Sequence, residues 1–519
     1  MLDLLWGIGG MIVIIAIALL FSVDRRRIRF RTVALALALQ VGFGVLVLYV
    51  PAGRVALETV TRGVQAVINA SGAGIDFLFG PVLPEEGSVF AFQVLPVIVF
   101  FAALTSVLYH LGVLQWVVKI IGGGLAKLLG TSTPESMNAA ANIFVGQTEA
   151  PLVIRPYVAA MSRSELFAVM CGGLATVAGS VLVGYSLLGA PLEYLIAASF
   201  MAAPAALLMA KLLVPSGALE DAPASADGAD DDGARPGAGG PAQEDEERTG
   251  RRGVRQWLAG GARRGATSYA ALELTRRPDA PAAERTDAGR GAAGSPAAAR
   301  PGDAAGAAGT DRPGDAGGTA GAGAPDHATR TPGGEPVPAT GAAGEDDEPA
   351  NVIDAAARGA SDGLSLALNV GAMLIAFISL IALVNVVLGA VGGLFGLEAL
   401  TLEQLFGYVF APVMFAVGVP WAEALDAGSF LGQKLVLNEF VAFADFAPQI
   451  EDYSPKAQAI VTFALTGFAN FGSLAILLGG LGGIAPSRRA DIARLGLLSV
   501  LGGTLANLMS ATIAGMLIG

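Results

Sequence analysis

The sequence has little cysteine, little histidine and few charged residues. Its 519 residues include one cysteine, Cys171, and two histidines, His110 and His327. A single thiol excludes an intrachain disulfide framework and a cysteine-rich metal site, and two histidines argue against a zinc enzyme. Charged residues make up only 15% of the chain, whereas hydrophobic residues make up 53%. This balance is typical of a membrane protein.

Long apolar runs predict membrane-spanning helices. A run of about 20 residues crosses about 30 Å of hydrocarbon, because a helix rises about 1.5 Å per residue. Eight spans are predicted near 3–22, 33–51, 92–114, 165–189, 192–214, 364–392, 456–480 and 493–518. Arginines and lysines cluster after the first and third spans, and the positive-inside bias then places both chain ends outside.

Four further segments are too short or too interrupted to cross. Residues 115–130 and 400–418 are expected to form two interfacial helices, and 134–162 and 420–450 two re-entrant hairpins entering from opposite faces. A short repeat supports inverted halves, because 173–180 resembles 467–473 and each follows a polar hairpin. A coincidental match between two packing faces rich in small residues is the alternative. The predicted fold is an all-α membrane protein with an inverted-repeat transport domain.

The domain organisation is predicted from these elements. The expected units are N-terminal scaffold helices (1–114), the first half of the transport domain (115–214), a disordered cytoplasmic linker (215–350), a scaffold helix (351–399) and the second half of the transport domain (400–519). Residues 216–349 hold 23 acidic and 14 basic residues with much Ala, Gly and Pro, which is typical of disorder. A basic amphipathic helix within 251–277 is the alternative there, and no recognisable nucleic-acid module accompanies its arginines.

One segment, 141–156, places polar side chains inside a strongly apolar stretch. Gln147, Thr148 and Glu149 lie there between a glycine and a proline. A carboxylate at membrane depth is costly, so Glu149 marks a candidate functional site. The three side chains together donate and accept hydrogen bonds, which suits a small polar ligand such as a heterocycle edge. A polar clamp that only holds the hairpin backbone is the alternative.

A second polar cluster is rich in hydrogen-bond acceptors. Glu439 follows Asn438 in the second hairpin, and Asn470 and Ser473 lie on the next helix. Carboxylate and carbonyl oxygens accept hydrogen bonds from vicinal hydroxyls, so this cluster suits a sugar. The alternative is an interhelical hydrogen-bonded pair that contributes about 1 kcal/mol to packing.

A third set of residues suits a coupling ion. Asn142 and Thr176 offer side-chain oxygens, and Val145 and Val177 offer carbonyls where helices break. Oxygen ligands without formal charge favour sodium over a divalent ion. Thr and Asn also join helices in membranes, so a packing role is the alternative.

Several blocks in order resemble the signatures of the concentrative nucleoside transporters. They are GQTEAPL (146–152), RPY (155–157), MSRSEL (161–166), NEF (438–440) and GFAN (467–470). The resemblance covers nearly all of the chain outside 216–349. It implies a homotrimer in the plasma (bacterial inner) membrane that imports nucleosides of the uridine, cytidine and adenosine class by sodium symport. It implies no enzymatic activity, no organic cofactor and no nucleic-acid partner.

The resemblance also assigns roles to residues of this sequence. The implied nucleobase residues are Gln147, Thr148 and Glu149, with Val181 packing nearby. The implied ribose residues are Glu439, Asn470 and Ser473, with Phe468 lining the pocket. The implied sodium ligands are Asn142, Val145, Thr176 and Val177. Thr176 stands where the family commonly has Ser, and the hydroxyl is retained.

Two other mechanisms remain open at this stage. One is a proton-coupled carrier in which Glu149 or Glu439 titrates, although Ala150-Pro151-Leu152 after the first carboxylate favours the sodium-coupled type. The other is a nucleoside receptor or channel that binds without accumulating its ligand. A membrane enzyme is a weaker third interpretation, because no nucleophile–base pair or metal cluster is evident in the sequence.

Overall fold

The computed structural model describes residues 2–83, 89–219, 349–394, 396 and 400–518, and within them every regular element is helical. The predicted all-α class is therefore confirmed for this part of the chain. Most of the predicted linker, 215–350, lies outside the described residues. The helices are α1 (Leu2–Phe21), α2 (Phe30–Gly44), α3 (Pro51–Phe79), α4 (Phe90–His110), α5 (Val113–Leu129), α6 (Thr133–Ala141), α7 (Arg155–Val158), α8 (Arg163–Ala175), α9 (Gly179–Leu187), α10 (Leu192–Leu213), α11 (Val352–Gly393), α12 (Leu402–Val417), α13 (Trp421–Val436), α14 (Glu439–Phe446), α15 (Pro455–Leu465), α16 (Phe471–Ile484) and α17 (Arg489–Ile518).

Seven candidate spans lie in the described part of the chain, by length and apolar character. Each overlaps one of the predicted spans, and α11 is longer than expected because its 42 residues begin at Val352. The remaining predicted span, 456–480, is divided between α15 and α16 by non-helical residues 466–470. The span 163–187 is likewise divided between α8 and α9 at 176–178. Both breaks free backbone groups inside the protein, where irregular backbone is tolerated at membrane depth.

One long helix, α3, has no counterpart among the predicted elements. Its 29 residues begin with Pro51 at the first helical turn, where proline is tolerated because it removes no helical hydrogen bond. Charged side chains such as Arg54, Glu58 and Arg62 interrupt its apolar residues. The segment is therefore too polar for a span prediction and is amphipathic instead. The helices α5 and α12 match the extents of the two predicted interfacial helices.

The two predicted hairpins consist of short helices that meet at irregular tips. The first contains α6, irregular residues 142–149, a 3₁₀ segment (Ala150–Ile154) and α7. The second contains α13 and α14, which are separated only by residues 437 and 438. Before the second hairpin, α12 and α13 bend by 117°. Gly418 permits this bend with a φ of 120°, which residues with a Cβ rarely adopt.

The buried core lies around the broken helices. In the most apolar 18-residue stretch of 163–187, and in that of 192–213, 94% of the residues are buried. In the corresponding stretch of α11 only 6% are buried. The outer helices α4 and α11 pack through small residues instead. A Cβ on Gly363 would lie 2.8 Å from the Cα of Val99, so only glycine allows this approach. Several polar residues of the two hairpins, among them Asn142, Gln147 and Glu439, are buried in this core.

Candidate nucleoside and ion site

The carboxylate of Glu439 is held by two protein donors. The Tyr185 hydroxyl donates to its Oε1 at 3.0 Å, and Asn470 Nδ2 donates to its Oε2 at 2.8 Å. All three side chains are buried. The sequence-predicted pair of Glu439 and Asn470 is thus brought together across two elements, and the buried charge is satisfied by hydrogen bonds.

Two asparagines place this pair through helix capping. Asn438 caps α14, and its Oδ1 accepts a hydrogen bond from Val441 N at 2.9 Å. Asn470 caps α16, and its Oδ1 accepts from Ser473 N at 2.6 Å. Capping satisfies backbone N–H groups that a helix start leaves unpaired. As a result, Glu439 begins one helix, and the Nδ2 of the other cap is free to donate to it.

Aromatic packing fixes the Tyr185 hydroxyl. Its ring stacks on Phe443 with centroids 4.4 Å apart and meets Phe440 edge-on at 5.0 Å. Val181 lies one turn earlier on α9 and is also buried. The tyrosine therefore has little freedom to leave the carboxylate, and its neighbour Val181 adds an apolar surface beside the polar cluster.

The first hairpin presents its three polar residues at its irregular tip. Gln147 is buried, and its Oε1 has no hydrogen-bond partner within the described residues. Thr148 is half-buried, and Glu149 is exposed. A buried, unpartnered amide oxygen is unusual in a folded protein. Gln147 is therefore available to a ligand with a hydrogen-bond donor.

Two glycines allow this tip to approach neighbouring helices. A Cβ on Gly173 of α8 would lie 2.9 Å from the Cβ of Gln147, and one on Gly480 of α16 would lie 2.8 Å from Thr148 Cγ2. Gly480 lies seven residues after Ser473, so the two are on one face of α16 and about 10 Å apart along its axis. This face therefore contacts both polar clusters, one at each end.

The expected ion ligands meet where the first hairpin contacts the break between α8 and α9. Asn142 follows α6, its Nδ2 donates to Asn138 O at 3.0 Å, and its buried Oδ1 has no partner in the described part of the chain. The Thr176 hydroxyl donates to Gly172 O at 2.9 Å, which leaves its oxygen lone pairs available. Both side chains lie close to Gly172, since a Cβ on that glycine would lie 3.3 Å from Asn142 Nδ2.

Two further expected ligands are backbone carbonyls in the same irregular segments. Val145 and Val177 are buried and lie outside the helices. Neither carbonyl accepts a backbone hydrogen bond from another described residue. Neutral amide, hydroxyl and carbonyl oxygens are a donor set that fits a monovalent cation such as sodium.

Direct backbone hydrogen bonds join the irregular segments. Gly179 N at the start of α9 donates to Phe144 O of the hairpin tip at 3.1 Å. Phe468 N in the second break donates to Thr176 O in the first break at 3.1 Å. The Phe468 side chain is half-buried. These hydrogen bonds therefore link the segments that contain the expected ion ligands to the break that precedes Asn470.

Three buried side chains at this centre have no role predicted from the sequence. Tyr185 lies in a mostly apolar helix, and its partner Glu439 is 254 residues away in the chain. Lys434 belongs to the segment before Asn438, and Asn507 lies on α17, far away in the chain. A buried lysine in an apolar sequence is itself an indication of function, whereas Asn507 offers no local signal.

Sequence profiles of known families match most of the chain. Residues 9–82 match the profile described as "Na+ dependent nucleoside transporter N-terminus", and 325–515 match its counterpart described as "C-terminus". Residues 91–192 match a profile described as "Nucleoside recognition". The last of these includes the whole first hairpin and the break after α8.

Proteins of bacteria and mammals are similar over most of this chain. It is 46% identical to an uncharacterized transporter, YutK, of Bacillus subtilis, with 100% of both chains covered. It is 38% identical to the nucleoside permease NupC of Helicobacter pylori, with 99% of this chain and 98% of the relative covered. The mouse sodium/nucleoside cotransporter 1 is 31% identical over 92% of this chain, which spans 58% of the mouse protein.

A solved structure has the same fold. It is described as CNTnw in an inward-facing substrate-bound state, and it matches with a TM-score of 0.73 and 43% identity, covering 99% of this chain and 98% of the other. The resemblance indicated by the signature blocks is confirmed by these similarities. The chain therefore belongs to the concentrative nucleoside transporter family: it is a multi-pass membrane protein that transports nucleosides and is not an enzyme.

Proposed function

We propose that this transporter imports nucleosides of the uridine, cytidine and adenosine class by symport with sodium. The observation that carries the proposal is that one face of α16 lies next to both polar clusters. Ser473 and Gly480 lie about 10 Å apart on this face, next to the Glu439 cluster and to Thr148 respectively. A ligand with two different polar ends can contact both clusters at once.

The sugar end is proposed to bind at Glu439. Its two oxygens already accept from Tyr185 and Asn470, and an ionised carboxylate retains further lone pairs that accept ribose hydroxyls. Ser473 adds a hydroxyl, and Phe468 adds an aromatic surface. The base is proposed to bind at Gln147, Thr148 and Glu149, with Val181 packing nearby.

The ion is proposed to bind at Asn142, Val145, Thr176 and Val177. The unpartnered Asn142 Oδ1 supports this assignment, because a buried amide oxygen without a donor is stabilised by a cation. When bound there, sodium supplies positive charge that balances the partial negative charge of the freed carbonyls. The hydrogen bond from Gly179 N to Phe144 O then keeps the hairpin tip against α9, which orders the nearby base residues.

The protein is further proposed to act as a homotrimer. The family resemblance supports this state, as does the exposed apolar surface of α3, where Phe77 is 86% exposed and Leu78 is 67% exposed. Subunit contacts or lipid tails would cover such residues. Native mass spectrometry of the detergent-solubilised protein tests it, and a monomer that remains fully active would contradict the trimer.

Uptake into proteoliposomes tests the coupling ion. Labelled uridine and adenosine should accumulate above their external concentration when sodium outside exceeds sodium inside, and should only equilibrate when potassium replaces sodium. Accumulation that ignores sodium but follows an inward proton gradient would replace sodium with protons. Binding without accumulation or counterflow exchange would instead indicate a receptor or channel.

A further inference from the structure

Lys434 lies at the centre of the protein with no solvent-exposed surface. Its Nζ donates to Ala464 O at 2.6 Å and to Asn507 Oδ1 at 2.8 Å. The residue is 0% exposed, and a buried ammonium requires partners that offset its lost hydration. The main-chain carbonyl and the side-chain amide oxygen are such partners.

Asn507 connects this lysine to both helix breaks. Its Nδ2 donates to Ala175 O at 2.7 Å, where α8 ends, and to Thr466 O at 2.8 Å, just after the end of α15. Its Oδ1 accepts from Lys434 at the same time. Gly467 allows this contact, because a Cβ there would collide with the Asn507 amide. One lysine and one asparagine therefore satisfy carbonyls that the two breaks leave without helical partners.

The two breaks are built alike but receive positive charge differently. Each helix before a break ends just before a threonine, Thr176 after α8 and Thr466 after α15. The C-terminal end of a helix carries partial negative charge that favours a cation. At the first break the neutral oxygen ligands described above are available to an ion. At the second break the Lys434 ammonium already contacts the last turn of α15.

We propose that the Lys434 ammonium is a tethered cation at the second helix break, where it takes the place that an ion takes at the first. It is a positioning residue, because through Asn507 it fixes the break that precedes Asn470 and hence the donor to Glu439. The comparison with the first break rests on the proposed sodium site. The contacts of Lys434 do not.

The charge of Lys434 has a direct relation to the nucleoside site. Glu439 lies five residues further along the same hairpin, and both side chains are buried, so water screens the attraction between their charges only weakly. A fixed cation beside the break therefore balances a fixed anion in the ribose cluster. Removal of the cation should weaken nucleoside binding even where the fold is retained.

Chemical rescue of a lysine variant tests the proposal. In Lys434→Ala the removed side chain leaves space lined by Ala464 O and Asn507 Oδ1, and the dissociation constant for uridine or adenosine should rise by about tenfold or more. Methylammonium should restore most of this affinity, because it replaces both the charge and the donors. Lys434→Met fills the same space without either, so methylammonium should have no effect on it.

Lys211→Ala is the matched control. Lys211 is also a buried lysine, and its Nζ pairs with Glu135 in the first turn of α6 at 2.6 Å. Its removal should lower stability but leave nucleoside affinity per folded molecule within about twofold of the wild type. Wild-type-like affinity in Lys434→Met, or a folded Lys434→Ala that methylammonium does not restore, would overturn the proposal.

A measurement on the intact wild-type protein covers the case in which both Lys434 variants fail to fold. The chain has only five lysines, so lysine-selective ¹⁵N NMR resolves each Nζ, and single Lys→Arg changes at the other four identify Lys434 by elimination. An ammonium signal that persists at neutral pH supports a tethered cation, and an amine signal refutes it. Because sodium dependence of the wild type is measured separately, a failed sodium proposal would not be confused with a failed lysine proposal.

Discussion

At the scale of single residues, the Glu439 carboxylate accepts hydrogen bonds from the protein and can still accept others from a ligand. Its oxygens accept one hydrogen bond each from Tyr185 and Asn470, while an ionised carboxylate has about four lone-pair sites. The protein donors thus orient the group and stabilise its charge without using all of its acceptor capacity. Ribose hydroxyls would add to these contacts, so the site is organised before the ligand arrives.

Replacement of Glu439 by Gln should weaken the proposed binding of ribose hydroxyls at this position. The amide keeps the size of the side chain, but its NH₂ group faces a protein donor that previously met an acceptor. The dissociation constant for uridine should rise by about 10- to 100-fold, as expected for hydrogen bonds to a charged group. Binding assays with uridine and with 2′- and 3′-deoxyuridine check the cause. The wild type should discriminate against the deoxy compounds, and a variant that still discriminated equally would contradict a ribose role.

Asn142 gives a separate prediction for the ion. In Asn142→Ala the unpartnered Oδ1 is removed, so the sodium concentration for half-maximal uptake should rise by about tenfold, in proportion to one lost ligand. Nucleoside affinity at saturating sodium should change little. Asn351→Ala is the control, because that asparagine only caps the start of α11. Unchanged sodium dependence in Asn142→Ala would exclude this residue as a ligand.

At the scale of elements, the contact between α8 and the first hairpin requires glycine at position 173, because a Cβ there would be too close to the hairpin. In Gly173→Ala the new Cβ would lie 2.9 Å from the Cβ of Gln147, and the hairpin tip must move. Overpacking of this kind costs about 1–3 kcal/mol, so base affinity and thermal stability should both fall. Titration calorimetry and thermal unfolding measure the two effects.

Gly123→Ala provides the comparison for that variant. Nothing lies within 4 Å of a Cβ at this position in α5, and alanine favours a helix by up to about 1 kcal/mol over glycine. This control should be as stable as the wild type or more so, with unchanged nucleoside binding. Equal losses in both variants would show that the Gly173 effect is general and not due to the hairpin contact.

The sequence predicts these elements where the determinant is local. Apolar length locates α1, α4 and α10, and motif residues such as Asn438 and Asn470 have recognisable positions because they cap helices. The break within 456–480 has no such local signal, since its carbonyls are satisfied by Lys434 and by Asn507, which is distant in sequence. The same reason hides Tyr185, whose partner Glu439 is 254 residues away.

At the scale of the whole molecule, the helices on either side of the predicted linker are held by hydrogen bonds that involve none of residues 220–348. The Ser164 hydroxyl donates to Val214 O at 2.8 Å, which secures the end of α10. Arg27 donates to Gly217 O within the first residues of the predicted linker, two residues before the described segment ends at 219. On the other side, Asn351 caps α11 through Ile353 N at 2.9 Å and Asp354 N at 3.0 Å. The end of α10 and the start of α11 are therefore fixed by local hydrogen bonds, and none of the proposed site residues lies in the segment between these two helices.

Deletion of 220–345 should consequently leave transport largely intact. The deleted residues are mostly Ala, Gly, Pro and charged side chains, a composition that cannot bury a core. Sodium-driven uridine uptake per inserted molecule should stay within about twofold of the wild type, because loop length changes closure free energy only slowly. A variant with a Gly-Ser linker of the original length separates length from sequence. Complete loss of uptake in both variants, with normal membrane insertion, would show that the segment takes part in transport.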